Sequence, residues 1–225
     1  MCGRYTETAA FEELARRFGI EVEEAGNEEL ISRYNVAPSQ PVPVIVETQG
    51  RRRLLRARWG LRPYWAREGK LAPINARAET VATSAMFRDA LMHARCLMPA
   101  DGFYEWQAVP GQKRKQPWYL RIRGGGLFAF AGLYTPPRPD AGVPATCAVI
   151  TTTPNELAAR IHDRMPVILD PDVEARWLDR QLVDARELLP LLRPYPAERM
   201  EAYPVSTLVS SPGNDGAALI APLPA

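Results

Sequence analysis

The chain has 225 residues, of which 46% are apolar and 24% are charged, which is the composition of one globular domain or at most two small ones. It contains no run of about 18 apolar residues, so a membrane-spanning helix is excluded, and its first residues lack the apolar core of a secretory signal. Three cysteines without a CxxC pair and only two histidines exclude zinc-finger spacing and a disulfide framework. We therefore expect no metal, no cofactor and a cytoplasmic location.

Charge is segregated along the chain, although the net charge is only +2. Residues 7–29 contain eight acidic side chains, whereas residues 48–67 contain seven arginines and no acid. A second basic cluster follows at Lys113, Arg114 and Lys115. This separation suits a positive face for a nucleic-acid backbone, and the alternative is a solvated hairpin with arginine on its outer face.

The pattern of apolar residues predicts a few helices scattered among many strands. Residues 6–19 have apolar positions three and four apart and end at Gly19, which predicts an amphipathic helix. Strands rich in β-branched and aromatic residues are predicted at 42–46, 54–58, 118–122, 127–134 and 146–152. Further helical segments are predicted at 83–93, 172–180 and 187–192. Without regular βαβ alternation, these elements favour an α+β fold: a single compact domain with a mainly antiparallel, β-barrel-like core and peripheral helices.

Two short segments make specific local predictions. Residues 153–156 have the spacing of a capping box with proline at the first helical position, which predicts a short helix that carries His162 at its far end. The glycines at 124–126 precede a strand rather than a helix, which indicates a hairpin turn and not a phosphate-binding loop.

Cys2 can acquire a distinctive reactivity, because the initiator methionine is normally removed before so small a residue. Removal leaves a thiol and an α-amine on adjacent carbon atoms. The α-amine has a pKa of about 7.7–8.0, against about 10.4 for lysine, so a sizeable fraction is nucleophilic near neutral pH. It condenses with an aldehyde, and the thiol then closes a thiazolidine ring at high effective molarity. The alternative is an accidental cysteine after the start residue.

Three other polar residues lie in segments that otherwise look buried: Asn75, Glu105 and His162. Aromatic residues surround Glu105 in the sequence, and desolvation of this kind raises the pKa of a carboxyl toward neutrality. Histidine is the usual general acid or base in that pH range. The alternatives are a turn-fixing amide, an ion-paired carboxylate and a helix-capping imidazole.

Six separated motifs together resemble the SRAP family, the SOS-response-associated peptidase-like or abasic-site processing proteins. They follow in order from residue 1 to residue 166: MCGRY at 1–5, RYNVAP at 33–38, WGLRP at 59–63, NARAET at 75–80, DGFYEW at 101–106 and HDRMP at 162–166. The resemblance extends to about residue 210, so we assign an SRAP domain to residues 2–212 and a C-terminal tail to residues 213–225. The Pro/Ala-rich tail is expected to be loosely held.

The resemblance implies that Cys2 forms a thiazolidine with the ring-opened aldehyde of an abasic site and thereby shields the lesion. Asn75 would hold the amino terminus or the opened sugar, Glu105 would shuttle protons, and His162 would protonate the sugar ring oxygen. The implied partner is single-stranded DNA with abasic sites, including its junctions with duplex, and we expect a monomer. The residues implied to contact DNA are Arg4, Arg77 and Arg164 at phosphates, Thr151 and Trp106 as additions, and Pro38 and Trp65 as a wedge at the junction.

Two other functions remain open. Cys2, His162 and either Glu105 or Asn75 also resemble the thiol, base and orienting group of a cysteine peptidase that acts on Met1 or on other chains. A non-catalytic module would instead bind single-stranded DNA through arginines and tryptophans alone. Such a module would bind intact and abasic DNA alike and would tolerate Cys2→Ser, whereas a peptidase would produce peptide fragments.

Overall fold

The computed structural model describes residues 2–21, 31–66 and 72–224, so Met1, residues 22–29 of the acidic segment and Arg67 lie outside the described residues. The described strands are β1 (Tyr5–Glu7), β2 (Arg33–Val36), β3 (Pro41–Thr48), β4 (Arg51–Trp59), β5 (Asn75–Arg77), β6 (Arg95–Ala100), β7 (Gly102–Gln107), β8 (Gln116–Ile122), β9 (Phe128–Thr135), β10 (Ala145–Thr152), β11 (Met165–Pro166), β12 (Ile168–Leu169) and β13 (Met200–Pro204). The described α-helices are α1 (Phe11–Phe18), α2 (Arg88–His93), α3 (Pro171–Leu178) and α4 (Ala185–Leu188). Among the residues described, no helix is long and apolar enough to cross a bilayer.

The strands form two sheets. The first has the order β13-β8-β7-β1-β2, and every neighbouring pair is antiparallel. In the second, β10, β4, β3, β6 and β9 follow one another and β9 pairs again with β10, so these strands close a barrel-like ring. The only parallel pairings among the described strands join β10 to β4 and to β5. The predicted α+β fold with a mainly antiparallel, barrel-like core is confirmed.

Strands β6, β9 and β10 of the ring are buried on both faces, whereas β4 exposes Arg51, Arg56 and Arg58. In β9, Phe128 and Phe130 belong to one hydrophobic cluster, whereas Ala129, Ala131 and Leu133 belong to a second cluster that also includes α1, α2 and α3. Because successive side chains of a strand point to opposite faces, this alternation places one cluster on each side of the sheet. The helices cover the second cluster, whereas the amino-terminal residues Cys2 and Tyr5 belong to the first.

The predicted arginine hairpin is confirmed as β3 and β4, joined at Gln49 and Gly50. Both residues have positive φ, 54° and 72°, as a type I′ turn requires. Its arginines contact other parts of the fold: Arg51 pairs with Glu21 at 3.2 Å, and Arg52 donates to the Phe18 carbonyl at 2.9 Å.

The amino-terminal helix is shorter than predicted. Its apolar stripe and its end at Gly19, which has φ 65°, agree with the sequence, but the helix begins only at Phe11. Residues 5–7 form β1 instead, because Tyr5 pairs with both Val36 and Phe103 in the first sheet. Similarly, only Arg88–His93 of the helix predicted at 83–93 is α-helical. Tertiary pairing overrides local periodicity at these positions.

Three local predictions also differ from the structure. The glycines at 124–126 do not close a hairpin, because β8 and β9 belong to different sheets. The short helix before His162 is a 3₁₀ helix at Ala158–Arg160, and Asn155 rather than Thr153 caps it by accepting from the Ala158 N–H at 2.8 Å. The tail is packed onto the domain, since Tyr203 Oη donates to the Ile220 carbonyl at 3.1 Å and Leu219 is 4% exposed.

Candidate active site

Cys2 lies just before β1, and its side chain is completely buried. The antiparallel register that pairs Tyr5 with Phe103 directs Cys2 toward Glu105 on β7. Burial raises the pKa of the Cys2 thiol well above its usual range, and the charge of Glu105 raises it further. The backbone N–H of Arg4 hydrogen-bonds the sulfur and acts in the opposite direction. The free protein therefore holds a protonated thiol.

Asn75 approaches the same residue from the second sheet. It begins β5, which runs parallel to β10 with Asn75 opposite Val149. Its Nδ2 donates to the Cys2 carbonyl oxygen at 2.9 Å. Its Oδ1 is buried and has no hydrogen-bond partner among the described residues. An unmet acceptor beside the amino terminus is suited to an incoming amine or hydroxyl donor.

Glu105 is held inside the first sheet by β7. The strand fits closely because Gly102, the second residue of the DGFYEW motif, faces Tyr119, and a Cβ at that position would lie 2.1 Å from the Tyr119 ring. Glu105 is 3% exposed, and this burial raises its pKa from 4.5 to about 7. A carboxyl with this pKa exchanges protons readily at neutral pH.

His162 faces Glu105 across the site, with its Nε2 3.9 Å from Glu105 Oε2. Its Nδ1 accepts from the Arg164 backbone N–H at 3.1 Å and lies 2.9 Å from an Asp163 carboxylate oxygen. Burial lowers the pKa of His162, which favours the neutral ring. Nε2 is the ring nitrogen that faces Glu105, so it is the one placed to exchange a proton with the site.

Arg4 is anchored by the C-terminal part of the chain. Its Nη1 donates to Asn35 Oδ1 at 2.9 Å and to the Val209 carbonyl at 2.7 Å. The Asn35 amide in turn donates to three carbonyls, those of Val209, Ser211 and Asn214. Because the backbone of Arg4 contacts the Cys2 sulfur, this anchor also restrains the nucleophile.

Arg164 is held in a second anchored position. Its guanidinium makes a bidentate contact with Glu79, at 2.7 and 2.9 Å, and donates to the Thr151 carbonyl at 2.8 Å. Thr151 itself is fully buried, and its hydroxyl donates to the Ala76 carbonyl at 3.5 Å. The structure thus places Thr151 behind Arg164 and not at the surface, and direct contact of its side chain with DNA stays a prediction.

The remaining predicted DNA contacts are at least partly exposed. Arg77 is exposed at the end of β5, and Trp106 follows Glu105 on β7 with its Nε1 donating to Ser210 Oγ at 3.1 Å. Trp65 is 54% exposed, and Pro38 is half-buried in the turn after β2. In the described ranges, no group of three or more His, Cys, Asp or Glu side chains is arranged to hold a metal ion.

The sequence matches a family model described as SOS response associated peptidase (SRAP) over residues 1–212. The chain belongs to the SRAP family. The abasic site processing protein YoqW of Bacillus subtilis (strain 168) is 45% identical over 223 residues, which cover 98% of this chain and 99% of the relative. The abasic site processing protein YedK of Escherichia coli (strain K12) is 32% identical and covers 99% of this chain and 100% of its own.

The structural comparison agrees with this assignment to the SRAP family. The crystal structure of a protein from Bacteroides thetaiotaomicron superposes with a TM-score of 0.85 at 28% identity, covering 99% of this chain and 100% of that one. A vertebrate relative, the abasic site processing protein HMCES of Gallus gallus, is 33% identical over 84% of this chain and 66% of its own length. The family resemblance inferred from the six motifs is confirmed.

Sequence reasoning singled out the residues around Cys2 but gave no role to Asn35 and Glu79. Both occur within the motifs RYNVAP and NARAET, so their presence was visible. Their partners were not, because Asn35 contacts a residue 174 positions away and Glu79 contacts one 85 positions away.

Proposed function

We propose that this SRAP protein acts on abasic sites in single-stranded DNA and forms a covalent thiazolidine through Cys2 after removal of Met1. The convergence of three separate motifs on Cys2 carries the proposal. Asn75 holds the Cys2 carbonyl at 2.9 Å, the charge of Glu105 acts on the Cys2 thiol, and His162 lies 3.9 Å from Glu105. Relatives named abasic site processing proteins support the same substrate.

The reaction begins at the sugar of the lesion, which is mostly a closed hemiacetal. In its protonated form, His162 gives a proton from Nε2 to the ring oxygen while the C1′ hydroxyl gives its proton to the Glu105 carboxylate, and the C1′ aldehyde opens. A histidine whose pKa is lowered by burial gives up its proton readily, so it suits this step. Asn75 Oδ1, the buried acceptor without a partner among the described residues, orients the α-amine of Cys2.

The two bond-forming steps then follow at C1′. The amine attacks the aldehyde carbon, and Glu105 protonates the departing oxygen, which leaves as water. The thiol next adds across the C=N bond: sulfur bonds to C1′, and the thiol proton reaches the nitrogen through Glu105. One water is released in total, and no oxidant or reductant is needed. The pKa of about 7 lets Glu105 act as acid and then as base.

The burial of Cys2 favours attack of a neutral thiol on an imine over cysteine peptidase chemistry. A cysteine peptidase depends on a thiolate stabilised by a nearby imidazolium. Here burial raises the pKa of Cys2 and lowers the pKa of His162, and both shifts oppose that ion pair. A neutral thiol is adequate when it attacks an imine already formed beside it.

The proposed setting is DNA in the cytoplasm, where the protein acts as a monomer. Trp65 and Pro38 offer surfaces on which a base can stack at a junction between single-stranded and duplex DNA. Stacking of one base on an aromatic side chain contributes about 1–3 kcal/mol and tolerates any base. A nucleotide without a base is also easily displaced from the helix stack.

Intact-mass measurement of the purified protein, with and without an abasic oligonucleotide, tests the proposal. We expect a chain without Met1 and an adduct whose mass is that of protein plus DNA minus one water. Cys2→Ala should abolish the adduct and retain binding to undamaged DNA. An adduct formed equally by Cys2→Ala, or peptide fragments in place of an adduct, would contradict the proposal.

The two proton-transfer residues require a kinetic test. In the wild type, crosslinking should accelerate as pH rises through about 7, because Glu105 becomes a base there. Glu105→Gln should be slower and lack that inflection. His162→Ala should slow crosslinking of the closed sugar, whereas His93→Ala, at an exposed histidine, serves as the control. Unchanged rates in both active-site variants would remove their assigned roles.

A further inference from the structure

The loop between β7 and β8 carries a basic cluster that the chemistry above does not use. We refer to residues 108–115 as the basic loop. Its Lys113, Arg114 and Lys115 are all exposed, and none forms a hydrogen bond or an ion pair within the part of the chain that the structure describes. Unpartnered cations close together repel one another, so an anionic ligand in contact with them would be favoured.

The basic loop lies beside the candidate active site. It begins directly after Gln107, the last residue of the strand that carries Glu105. The Gln107 side chain accepts from Trp118 Nε1 at 3.0 Å and donates to the Arg160 carbonyl at 2.7 Å. The base of the loop is therefore tied to the 3₁₀ helix that leads to His162, and the charge of Lys115 reaches the imidazole.

We propose that the basic loop is a phosphate-binding element that holds the DNA backbone on the β7 side of the lesion. The identity of its ligand rests on the proposed function, whereas its position follows from the contacts of Gln107. Cys2 lies between β5, which contacts it through Asn75, and β7, which carries Glu105. Arg77 at the end of β5 and the basic loop after β7 then flank the nucleophile from two sides.

The chemistry of the three side chains suits a backbone more than a base. Lysine presents a hydrated point charge on a flexible stem, and it binds phosphates without the geometry that base readout requires. Contacts of this kind are independent of sequence, as binding to a lesion in any context demands. They also release counterions, so they are measurable through the salt dependence of affinity.

The main test is binding of Lys113→Gln/Arg114→Gln/Lys115→Gln to an undamaged single-stranded oligonucleotide between 50 and 200 mM salt. The slope of log K against log salt is negative, and each lost phosphate contact reduces its magnitude by about 0.7. The loss of three contacts reduces the magnitude by about 2. The wild type should consequently lose about 20-fold more affinity than the variant over this range. An unchanged slope would overturn the proposal.

Two controls separate a local contact from an effect of net charge. Arg176→Gln/Arg186→Gln/Arg193→Gln removes the same charge from exposed positions in and around α3 and α4, and it should keep the wild-type slope. Lys113→Arg/Lys115→Arg keeps the charges of the basic loop and should also keep the slope. If the magnitude of the slope fell equally in the α3–α4 variant, the effect would come from net charge, and the assignment to the basic loop would be overturned.

Neutral methylphosphonate linkages locate the contact along the strand. Single methylphosphonate linkages are placed at positions on each side of an abasic site. At a linkage that the loop contacts, the wild type should lose affinity and the basic-loop variant should not, so that their affinities converge. No such convergence at any position would refute direct phosphate binding. The covalent step is read separately: at saturating DNA and low salt the variant should still form the adduct. A wild type that forms no adduct would contradict the proposed function and leave the slope measurement valid.

Discussion

The arginine hairpin and the basic loop are both conspicuous runs of positive charge in the sequence, yet the fold uses them differently. In the hairpin, Arg52 lies 3.7 Å from Glu174, a carboxylate that is 1% exposed and also pairs with Arg17 at 2.7 Å. The three cations of the basic loop have no comparable acidic partners among the described residues, and the charge of one of them, Lys115, reaches His162. One cluster stabilises the packing of helices, and the other is available to a ligand.

This difference shows that a run of cations in the sequence does not reveal which charges the fold will pair with acidic groups. The same distinction applies inside the candidate site. Arg4 and Arg164 are held by protein oxygens in the free protein, whereas Arg77 is exposed. Under the proposed function, the anchored arginines are oriented before DNA binds, which reduces the entropy that binding must overcome.

The largest expected effect concerns the anchored hairpin. Glu174→Gln removes the carboxylate shared by Arg17 and Arg52 and should lower the free energy of unfolding by about 3 kcal/mol, measured by chemical denaturation. Glu187→Gln is the control, since its partner Arg176 is exposed and surface ion pairs contribute less than about 1 kcal/mol. Equal losses in the two variants would erase the distinction between anchored and surface cations.

An intermediate effect is expected at Asn35, which anchors Arg4. Asn35→Ala leaves buried carbonyls without donors and should cost about 1–3 kcal/mol of unfolding free energy. Crosslinking should slow more than DNA affinity falls, because the Arg4 backbone that contacts Cys2 is released. Asn35→Asp retains an acceptor for Arg4 and should recover part of the rate. A loss of stability with an unchanged rate would make Asn35 structural only.

The smallest effect is a pH dependence of the free energy of unfolding that arises from Glu7. Its carboxylate lies 3.9 Å from Arg33, and the charge of Arg56 on the hairpin also acts on it. Burial raises the pKa of Glu7 from 4.5 to about 8, so the folded state binds more protons than the unfolded state between these values. Stability should therefore fall as pH rises, by up to about 1.4 kcal/mol between pH 6 and 7. Glu7→Gln should flatten this slope in thermal melts across that range, and an unaltered slope would contradict the assignment.

Local sequence information predicted much of the fold. The stripe of Phe11, Leu14 and Phe18 placed the buried face of α1, and residues typical of strands placed the two strands of the arginine hairpin. Local patterns failed for β1: residues 6 and 7 were assigned to the following helix, but β1 pairs with strands about 30 and about 100 residues away. The ring closure between β9 and β10 was likewise absent from any local pattern.

The chemistry of single residues was readable before the fold: an N-terminal cysteine after Met1, a carboxyl among aromatic residues and a histidine at a helix end. Reactivity and local periodicity depend on the residue and its near neighbours, which the sequence records directly. Which oxygen holds Arg4, which carboxylate neutralises the hairpin and which cations remain available depend on residues far apart in the chain. Long-range strand pairing brings those residues together, so only the tertiary structure decided where the protein is rigid and where its positive charge is open to DNA.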